Sequence, residues 1–146
     1  MNKDVLLEVV RQNQITSHFS FDRVTEQTAN LRLNDNTASV GFIYRHIGET
    51  LNLFGQLLGV PTDVQNTTIG QTDKGQHHDL GYSRELIERG YRMLRNLVES
   101  STDEDWLKPV ETPFFGTVSR ARLFAHALFH TSNHAGQISL MLSKGE

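Results

Sequence analysis

The stretch that decides how this chain is interpreted runs from Leu123 to Gln137 and reads LFAHALFHTSNHAGQ. Its three histidines, His126, His130 and His134, recur at every fourth residue. An α-helix turns once in about 3.6 residues, so side chains four residues apart lie on one face. The stretch is therefore predicted to be helical, and His130 and His134 can direct two imidazoles at one point.

A second segment, GFIYRHIGET at residues 41–50, places His46 midway along another predicted helix. Both segments carry apolar residues at helical spacing around their histidines, so these imidazoles are expected on inward faces. A buried imidazole needs hydrogen-bond partners or a metal ion, and bundle cores are where such metal sites are built. The spacing predicts His46, His130 and His134 as three metal ligands with a vacant fourth position, as in catalytic zinc centres.

His126 lies one turn before His130, about 6 Å away along the helix axis. A metal at about 2.1 Å from each nitrogen cannot easily use His126 as well as the pair that follows it. His126 is therefore assigned to the wall of the site. Glu49, three residues after His46, is the acidic residue nearest the histidine face. His126 and Glu49 are candidates for orienting a ligand or transferring a proton.

Two residues just after the histidine series complete the predicted site. Gln137, one turn beyond His134, is a candidate for hydrogen bonding to a metal ligand or a bound cofactor, or is simply a polar residue at the rim of the bundle. Gly136 is expected to let a neighbouring helix approach closely.

Composition excludes several functional classes. The 146 residues suit a single domain, 1–146, and the net charge of −3 without a basic block argues against nucleic-acid binding. No apolar run reaches the roughly 18 residues that a membrane span needs. The chain has no cysteine, so any metal must be held by histidine and carboxylate. The N-terminus does not resemble a signal peptide, and a cytoplasmic location is expected.

Helical periodicity predicts four long helices and no strands, because no alternating apolar run is bounded by hairpin turns. Without a sheet, four apolar stripes must pack on one another, so the predicted fold is an all-α four-helix bundle. The segment 61–82 is expected to be a surface loop in which His77 and His78 are solvated. A short capped turn is expected at 102–107, and a loop at 109–116. The four helices are predicted from about Lys3 to about Glu26, from Asn36–Thr37 to Gly59, from about Ser83, and from about Thr117 to about Ser143.

The apolar faces of two helices bear on how the bundle packs. The first helix is expected to use one face for the core, lined by Val5, Leu6, Val9, Val10, Ile15 and Phe19. The last helix carries more apolar residues than one stripe needs. Phe124, Leu128 and Leu140 are therefore candidates for an interface between two copies of the chain, or for a wider core face.

The two histidine segments resemble the motifs of a known family. The run LFAHALFHTSNHAGQI at 123–138 resembles the C-terminal signature of the DinB-like superfamily, a His-x-x-x-His pair followed shortly by Gly-Gln. The run SVGFIYRHI at 39–47 resembles the first metal-ligand segment of the same family. The order of the two segments and the length of the chain also match.

The resemblance implies a bundle with up-down-down-up connectivity, usually assembled as a homodimer. It also implies a divalent metal bound by His46, His130 and His134, with water completing the coordination. Characterised relatives include thiol-dependent S-transferases and a maleylpyruvate isomerase, which use bacillithiol, mycothiol or glutathione. The family name derives from a DNA-damage-inducible gene and implies no DNA binding. Ala135 departs from the pattern, because many relatives carry a basic residue before the glycine.

Two functional hypotheses follow. The first is a metal-dependent enzyme, with zinc or nickel as the metal, that transfers a low-molecular-weight thiol to a small-molecule substrate or hydrolyses one. The second is a non-enzymatic dimeric bundle whose metal site is structural or vacant. An open fourth coordination position favours the enzyme, and a fourth protein ligand favours the structural module.

Overall fold

The computed structural model describes residues 3–145, which form five helices and one two-stranded hairpin. The first three helices are long and are joined by extended connections. A short helix and the hairpin separate the third helix from the last. The elements are α1 (Lys3–Phe21), α2 (Val40–Leu57), α3 (Leu80–Ser100), α4 (Asp103–Leu107), β1 (Pro109–Thr112), β2 (Gly116–Ser119) and α5 (Arg120–Lys144).

The four long helices pack as an up-down-down-up bundle, which confirms the predicted fold. Helix α1 runs antiparallel to α3, because His18 near the end of α1 lies beside Glu88 in the first half of α3, while Lys3 donates to the Glu99 carbonyl near the end of α3. Helices α2 and α3 run parallel, and the long crossover at 58–79 joins them. The last helix runs antiparallel to α2, since the Arg120 guanidinium at its start bonds the carbonyl of Leu58.

Small residues set the close approach of α2 and α3. A Cβ atom built on Gly48 would lie 2.6 Å from the Cβ of Leu86, and one built on Gly90 would lie 2.6 Å from the Cβ of Leu51. Neither distance is tolerated by real side chains, so glycine is required at both positions. Large apolar side chains fill the space between the helices, among them Val10, Tyr44, Ile47, Leu51, Leu94, Leu123, Ile138 and Met141.

Helix boundaries differ from the predicted ones where side chains compete with the helical hydrogen bonds. Helix α1 ends at Phe21 rather than near Glu26. The Thr25 backbone N–H donates to the Thr28 hydroxyl, which in turn donates to the carbonyl of Arg23. Such local side-chain bonds favour a turn over continuation of the helix.

The second and third helices also begin at different residues from those predicted. Helix α2 is capped by Ser39, whose hydroxyl accepts from Phe42 N at 3.2 Å. Thr37 instead closes the preceding turn against Asn34. Helix α3 begins three residues before the predicted Ser83, because the Asp79 side chain caps it.

The prediction of a bundle without a sheet is wrong in one place. Residues 109–119, predicted as a loop and the start of the last helix, form an antiparallel hairpin in which Val110 pairs with Val118. Each strand is only four residues long, which is too short to show an alternating pattern. Val118 is buried and joins the core, so tertiary packing stabilises strands that the local pattern does not reveal. The short helix before the hairpin agrees with the predicted capped turn.

The crossover at 58–79 packs against α2, and the prediction about the exposure of one of its histidines is wrong. His77 was expected to be solvated, yet it is only 6% exposed. Its ring packs against Gly41, and its Nε2 lies 3.3 Å from Asn30 Oδ1. Nearby, Asp73 accepts bonds from the backbone N–H and hydroxyl of Ser39. His78 is exposed, as predicted.

The predicted core face of α1 is largely wrong. Val10 is buried and Leu6 is partly buried, but Val5, Val9, Ile15 and Phe19 are exposed, Phe19 to 71%. Within residues 3–145, no helix combines the length and the apolar character that crossing a membrane requires.

Candidate metal centre

Antiparallel helices α2 and α5 bring the three predicted ligands together. His46 lies in the middle of α2, and His130 and His134 lie one turn apart on the facing side of α5. One ring nitrogen from each of the three lies within 4.8 Å of the other two. The Nε2 atoms of His130 and His134 are 3.2 Å apart. This group of three can hold a metal ion.

Each imidazole has a partner for its Nδ1 atom. His46 Nδ1 lies 3.1 Å from the Thr68 hydroxyl, and His134 Nδ1 lies 2.6 Å from Gln137 Oε1. His130 Nδ1 lies 3.4 Å from the Thr50 hydroxyl, a longer and weaker contact.

These partners act as acceptors, which determines the tautomer of each ring. The Thr68 hydroxyl gives its proton to Glu49 at 2.7 Å, and the Thr50 hydroxyl gives its proton to the His46 carbonyl at 2.7 Å. Each hydroxyl has only one proton, so it accepts from the histidine facing it. The amide oxygen of Gln137 can only accept. All three rings therefore carry hydrogen on Nδ1 and keep the Nε2 lone pair for a ligand.

The electrostatics of the group favour a bound cation. Burial, with a smaller contribution from charge on the neighbouring histidines, lowers the pKa of His46 to about 4 and of His130 to about 3. Burial also lowers the pKa of His134. The three rings are therefore neutral near pH 7, the form in which imidazole binds metal. With hydrogen on both Nδ1 atoms, the Nε2 lone pairs of His130 and His134 face each other at 3.2 Å, and a cation between them would remove their repulsion.

Glu49 is connected to His46 through the hydroxyl of Thr68. It is 2% exposed and accepts four hydrogen bonds, from the backbone N–H and the hydroxyl of both Thr67 and Thr68. The carboxylate thus attaches the crossover to α2 and, through Thr68, holds the Nδ1–H of His46. A buried carboxylate that accepts four hydrogen bonds is in a position to orient His46 through Thr68.

Thr68 and Thr50 are site residues that sequence reasoning did not select. Thr50 lies on α2 one turn after His46, a spacing that places it on the same face. The signal for Thr68 is weaker. Asn66 Oδ1 accepts from the backbone N–H groups of Thr68 and Ile69, a local turn that Asn residues favour. Nothing in the sequence shows that this turn lies against α2.

His126 is partly buried and is not part of the three-histidine group. Its ring packs edge-on against Phe54 at 5.3 Å and Phe115 at 4.7 Å. His126 therefore lies beside the three-histidine group, with its ring centroid 5.8 Å from that of His130. The expectation for Gly136 is wrong within the chain, because a Cβ built there meets nothing within 4 Å and no helix approaches it.

Two clefts open onto the group from opposite directions. The first, which we call the aliphatic cleft, has a volume of about 390 Å³ and reaches His46 and His134; its other walls include Leu33, Phe42, Ile43, Leu140 and Met141. The second, the aromatic cleft, has a volume of about 270 Å³ and reaches His46 and His130; its other walls are Thr50, Phe54, Ile69, Phe114, Phe115 and His126. A larger cavity between α2 and α3 contains none of these histidines.

Comparison with known proteins agrees with the fold. Among solved structures, a DinB-like protein from Bacillus cereus superposes with a TM-score of 0.70 at 16% identity, covering 95% of this chain and 89% of that one. A conserved protein from Enterococcus faecalis superposes with a TM-score of 0.69 at 11% identity, covering 94% of this chain and 93% of that one. No curated protein sequence matches the chain.

At these identities the two structures establish the fold alone. A family model provides independent sequence evidence, because the model of the DinB superfamily matches residues 8–138, most of the chain and all of the candidate site. The chain belongs to the DinB superfamily.

Proposed function

We propose that this chain is a metal-dependent enzyme that binds one divalent transition metal, zinc or nickel, through the Nε2 atoms of His46, His130 and His134. The observation that carries the proposal is the arrangement of the three rings. Each has its Nδ1 held by an acceptor, and each keeps the lone pair that a metal uses. Imidazole nitrogens are suitable ligands for both metals.

Among the described residues, the group contains three protein ligands and no fourth side chain of the usual ligand types. Two clefts reach it, so a substrate can approach from either side. Three protein ligands with open access are typical of catalytic sites, whereas structural sites are closed by a fourth ligand. The geometry therefore favours an enzyme over a structural module.

The metal ion and the residues of the chain have different roles in the proposed reaction. A divalent ion bound by three neutral imidazoles lowers the pKa of bound water or of a bound thiol, so either becomes a nucleophile near neutral pH. Thr50, Thr68 and Gln137 keep the three rings in their binding orientation. His126 lines the aromatic cleft, and burial lowers its pKa, so it is neutral and can accept a proton from a substrate there.

The walls of both clefts are uncharged near pH 7, because the only titratable side chains in them are histidines. An uncharged wall favours a small, largely apolar substrate. Low-molecular-weight thiols such as glutathione carry several charged groups. We therefore place hydrolysis of an apolar small molecule first. Transfer of a thiol is the second candidate, because the aliphatic cleft reaches His46 and His134 and has room for a small thiol.

The test begins with metal analysis of the purified protein. Zinc- and nickel-loaded samples are then assayed for hydrolysis of uncharged esters and for transfer of bacillithiol, mycothiol and glutathione to small electrophiles. We expect one metal per chain and ester hydrolysis that His130→Ala abolishes. A protein that takes up no metal, or an activity that persists unchanged in His130→Ala, would refute the proposal.

We also propose that the chain forms a homodimer through the outer faces of α1 and α5. These helices are neighbours, since Asn13 bonds both Leu128 and Ser132. Apolar side chains remain exposed on both, namely Val5, Val9, Phe19, Phe129 and Leu140. Of the residues first considered for an interface, only Leu140 is exposed; Phe124 is buried against Trp106 and Leu128 is partly buried against the core.

A further inference from the structure

The hairpin tip carries two aromatic residues where turns normally carry polar ones. Phe114 and Phe115 occupy the three-residue connection between β1 and β2 and are 45% and 46% exposed. Neither ring belongs to the hydrophobic core, and the hairpin packs into the bundle through Val118. Their position at the edge of the three-histidine group suggests a role in binding.

The tip is held rigidly. Thr112, only 8% exposed, donates from its hydroxyl to the Gly116 carbonyl at 2.9 Å and accepts from Phe115 N at 2.8 Å. Gly116 has a φ of +66°, the left-handed conformation that closes hairpins with three-residue loops. The two rings are therefore presented in a fixed position, and little conformational freedom is lost when something binds between them.

The rings form one side of the aromatic cleft, and rings from the helices form the other. Phe114 lies edge-on to Phe54 at 6.0 Å between ring centroids, and Phe115 lies edge-on to His126 at 4.7 Å. Phe54 also lies edge-on to His130, one of the three candidate ligands, at 5.4 Å. Rings that cross at these angles leave their faces and edges available. A further aromatic ring binds preferentially to such faces and edges.

The volume and the charge of the aromatic cleft limit the kind of molecule that can bind there. A cavity of about 150 Å³ is enough to bind benzene. The aromatic cleft, at about 270 Å³, fits one six-membered ring with a substituent of a few atoms. Its walls carry no fixed charge, which excludes a site built for an ionic headgroup.

We propose that the aromatic cleft binds an aromatic ring of the substrate and directs the group attached to that ring toward His130. Phe114 and Phe115 are then the residues that determine specificity, and the substrate class is a small, uncharged aromatic compound. This inference rests on the proposed function for the reaction at the attached group. The preference for an aromatic ring can be measured without that reaction.

The experiment uses three hydroxamates, which bind metals and differ only in the group they carry. Acetohydroxamate has no ring, cyclohexanecarbohydroxamate has a saturated ring, and benzohydroxamate has an aromatic ring. Their affinities for the zinc-loaded protein are measured by calorimetry. The variant is the double substitution Phe114→Leu with Phe115→Leu, which keeps apolar side chains. Phe19→Leu, an exposed aromatic residue on α1, is the matched control.

We expect benzohydroxamate to bind about 3- to 10-fold tighter than the cyclohexane compound, the range given by an aromatic pair beyond its buried area. This ratio should fall to near one in the double variant and stay unchanged in Phe19→Leu. Acetohydroxamate should bind both variants as it binds the unmodified protein, and zinc content should not change. A ratio near one in the unmodified protein, or one that persists in the double variant, overturns the inference. A ratio near one together with a dimer that the double variant dissociates assigns the hairpin tip to an interface instead.

Failure of the proposed function gives a different result. If acetohydroxamate does not bind the zinc-loaded protein, the three-histidine group is not an open metal site. The inference is then decided on the metal-free protein, with benzyl alcohol and cyclohexylmethanol compared by ligand-observed NMR. Preference for benzyl alcohol that is lost in the double variant supports the aromatic cleft, and equal binding of the two alcohols refutes it.

Discussion

Helices α2 and α1 depart in opposite ways from the usual pattern of buried apolar and exposed polar residues. Helix α2 lies between α3 and α5, and it buries Glu49 and Asn52 along with its apolar side chains. Helix α1 leaves Val9 and Phe19 exposed to water. Polar groups buried on α2 must be paired, and their pairing orients the candidate ligands. Apolar groups exposed on α1 have no such role within one chain. On α2, therefore, the buried polar residues indicate function. On α1, the exposed apolar residues do so.

The largest effect, on metal binding, is expected from substitution of the histidines in the three-histidine group. His130→Ala or His134→Ala should abolish tight metal binding, because two imidazoles hold a divalent ion poorly. His46→Ala should do the same, since α2 faces α5. Metal content after equal dialysis measures all three. His126→Ala should retain one metal per chain, and His78→Ala, on the exposed part of the crossover, is the control. Metal retained by the His46 variant would contradict this assignment.

Glu49 gives the sharpest contrast between the helices. Glu49→Gln replaces an acceptor of four hydrogen bonds with a group that cannot accept all of them. We expect a loss of about 1–3 kcal/mol in the free energy of unfolding, and metal affinity weakened about 10- to 100-fold through the altered orientation of His46. Urea denaturation and metal titration measure the two effects. Glu8→Gln, on the exposed side of α1, should change stability by less than about 0.5 kcal/mol. Equal effects at the two positions would remove the contrast.

The metal-free protein should lose stability as pH falls below about 6.5, the ordinary histidine pKa. Burial lowers the pKa of His46 to about 4 and of His130 to about 3, so below pH 6.5 the unfolded chain binds protons that the folded chain does not. Stability is therefore lost between about pH 6.5 and 3 and is unaffected by these groups at higher pH. Denaturant unfolding at pH 7.5 and 5.5 measures the loss. His130→Gln should reduce it, and an identical loss in that variant would show that other groups are responsible.

The smallest effect on the stability of the folded chain is expected from substitutions on α1. Val9→Lys with Phe19→Lys should convert the proposed dimer to monomers and change the stability of the monomer by less than about 0.5 kcal/mol per site. Light scattering over a range of concentrations measures the assembly. Leu107→Lys, at an exposed apolar position on α4 and outside the proposed interface, is the comparison. An unmodified protein that is monomeric at every concentration would refute the dimer.

The histidines were predictable because their spacing repeats the period of the helix, and the same period identified the four long helices. Thr68 was not predictable, because it reaches His46 across the crossover and its sequence neighbours give only a local turn. His77 was assigned to solvent since its neighbours are polar, yet Gly41 leaves space in which its ring is buried. The hairpin was missed because strands of four residues depend on packing against the bundle rather than on a pattern of their own.

The central claim is that three imidazoles, each with hydrogen on Nδ1, bind one ion through Nε2. The most direct test is two-dimensional ¹H–¹⁵N NMR of the histidine ring nitrogens, recorded before and after addition of one equivalent of zinc. We expect the Nε2 signals of His46, His130 and His134 to shift together while their Nδ1 atoms stay protonated, and His126 to keep the signals of a free ring. Zinc bound through Nδ1 of any of the three, or a metal-bound His126, would contradict it.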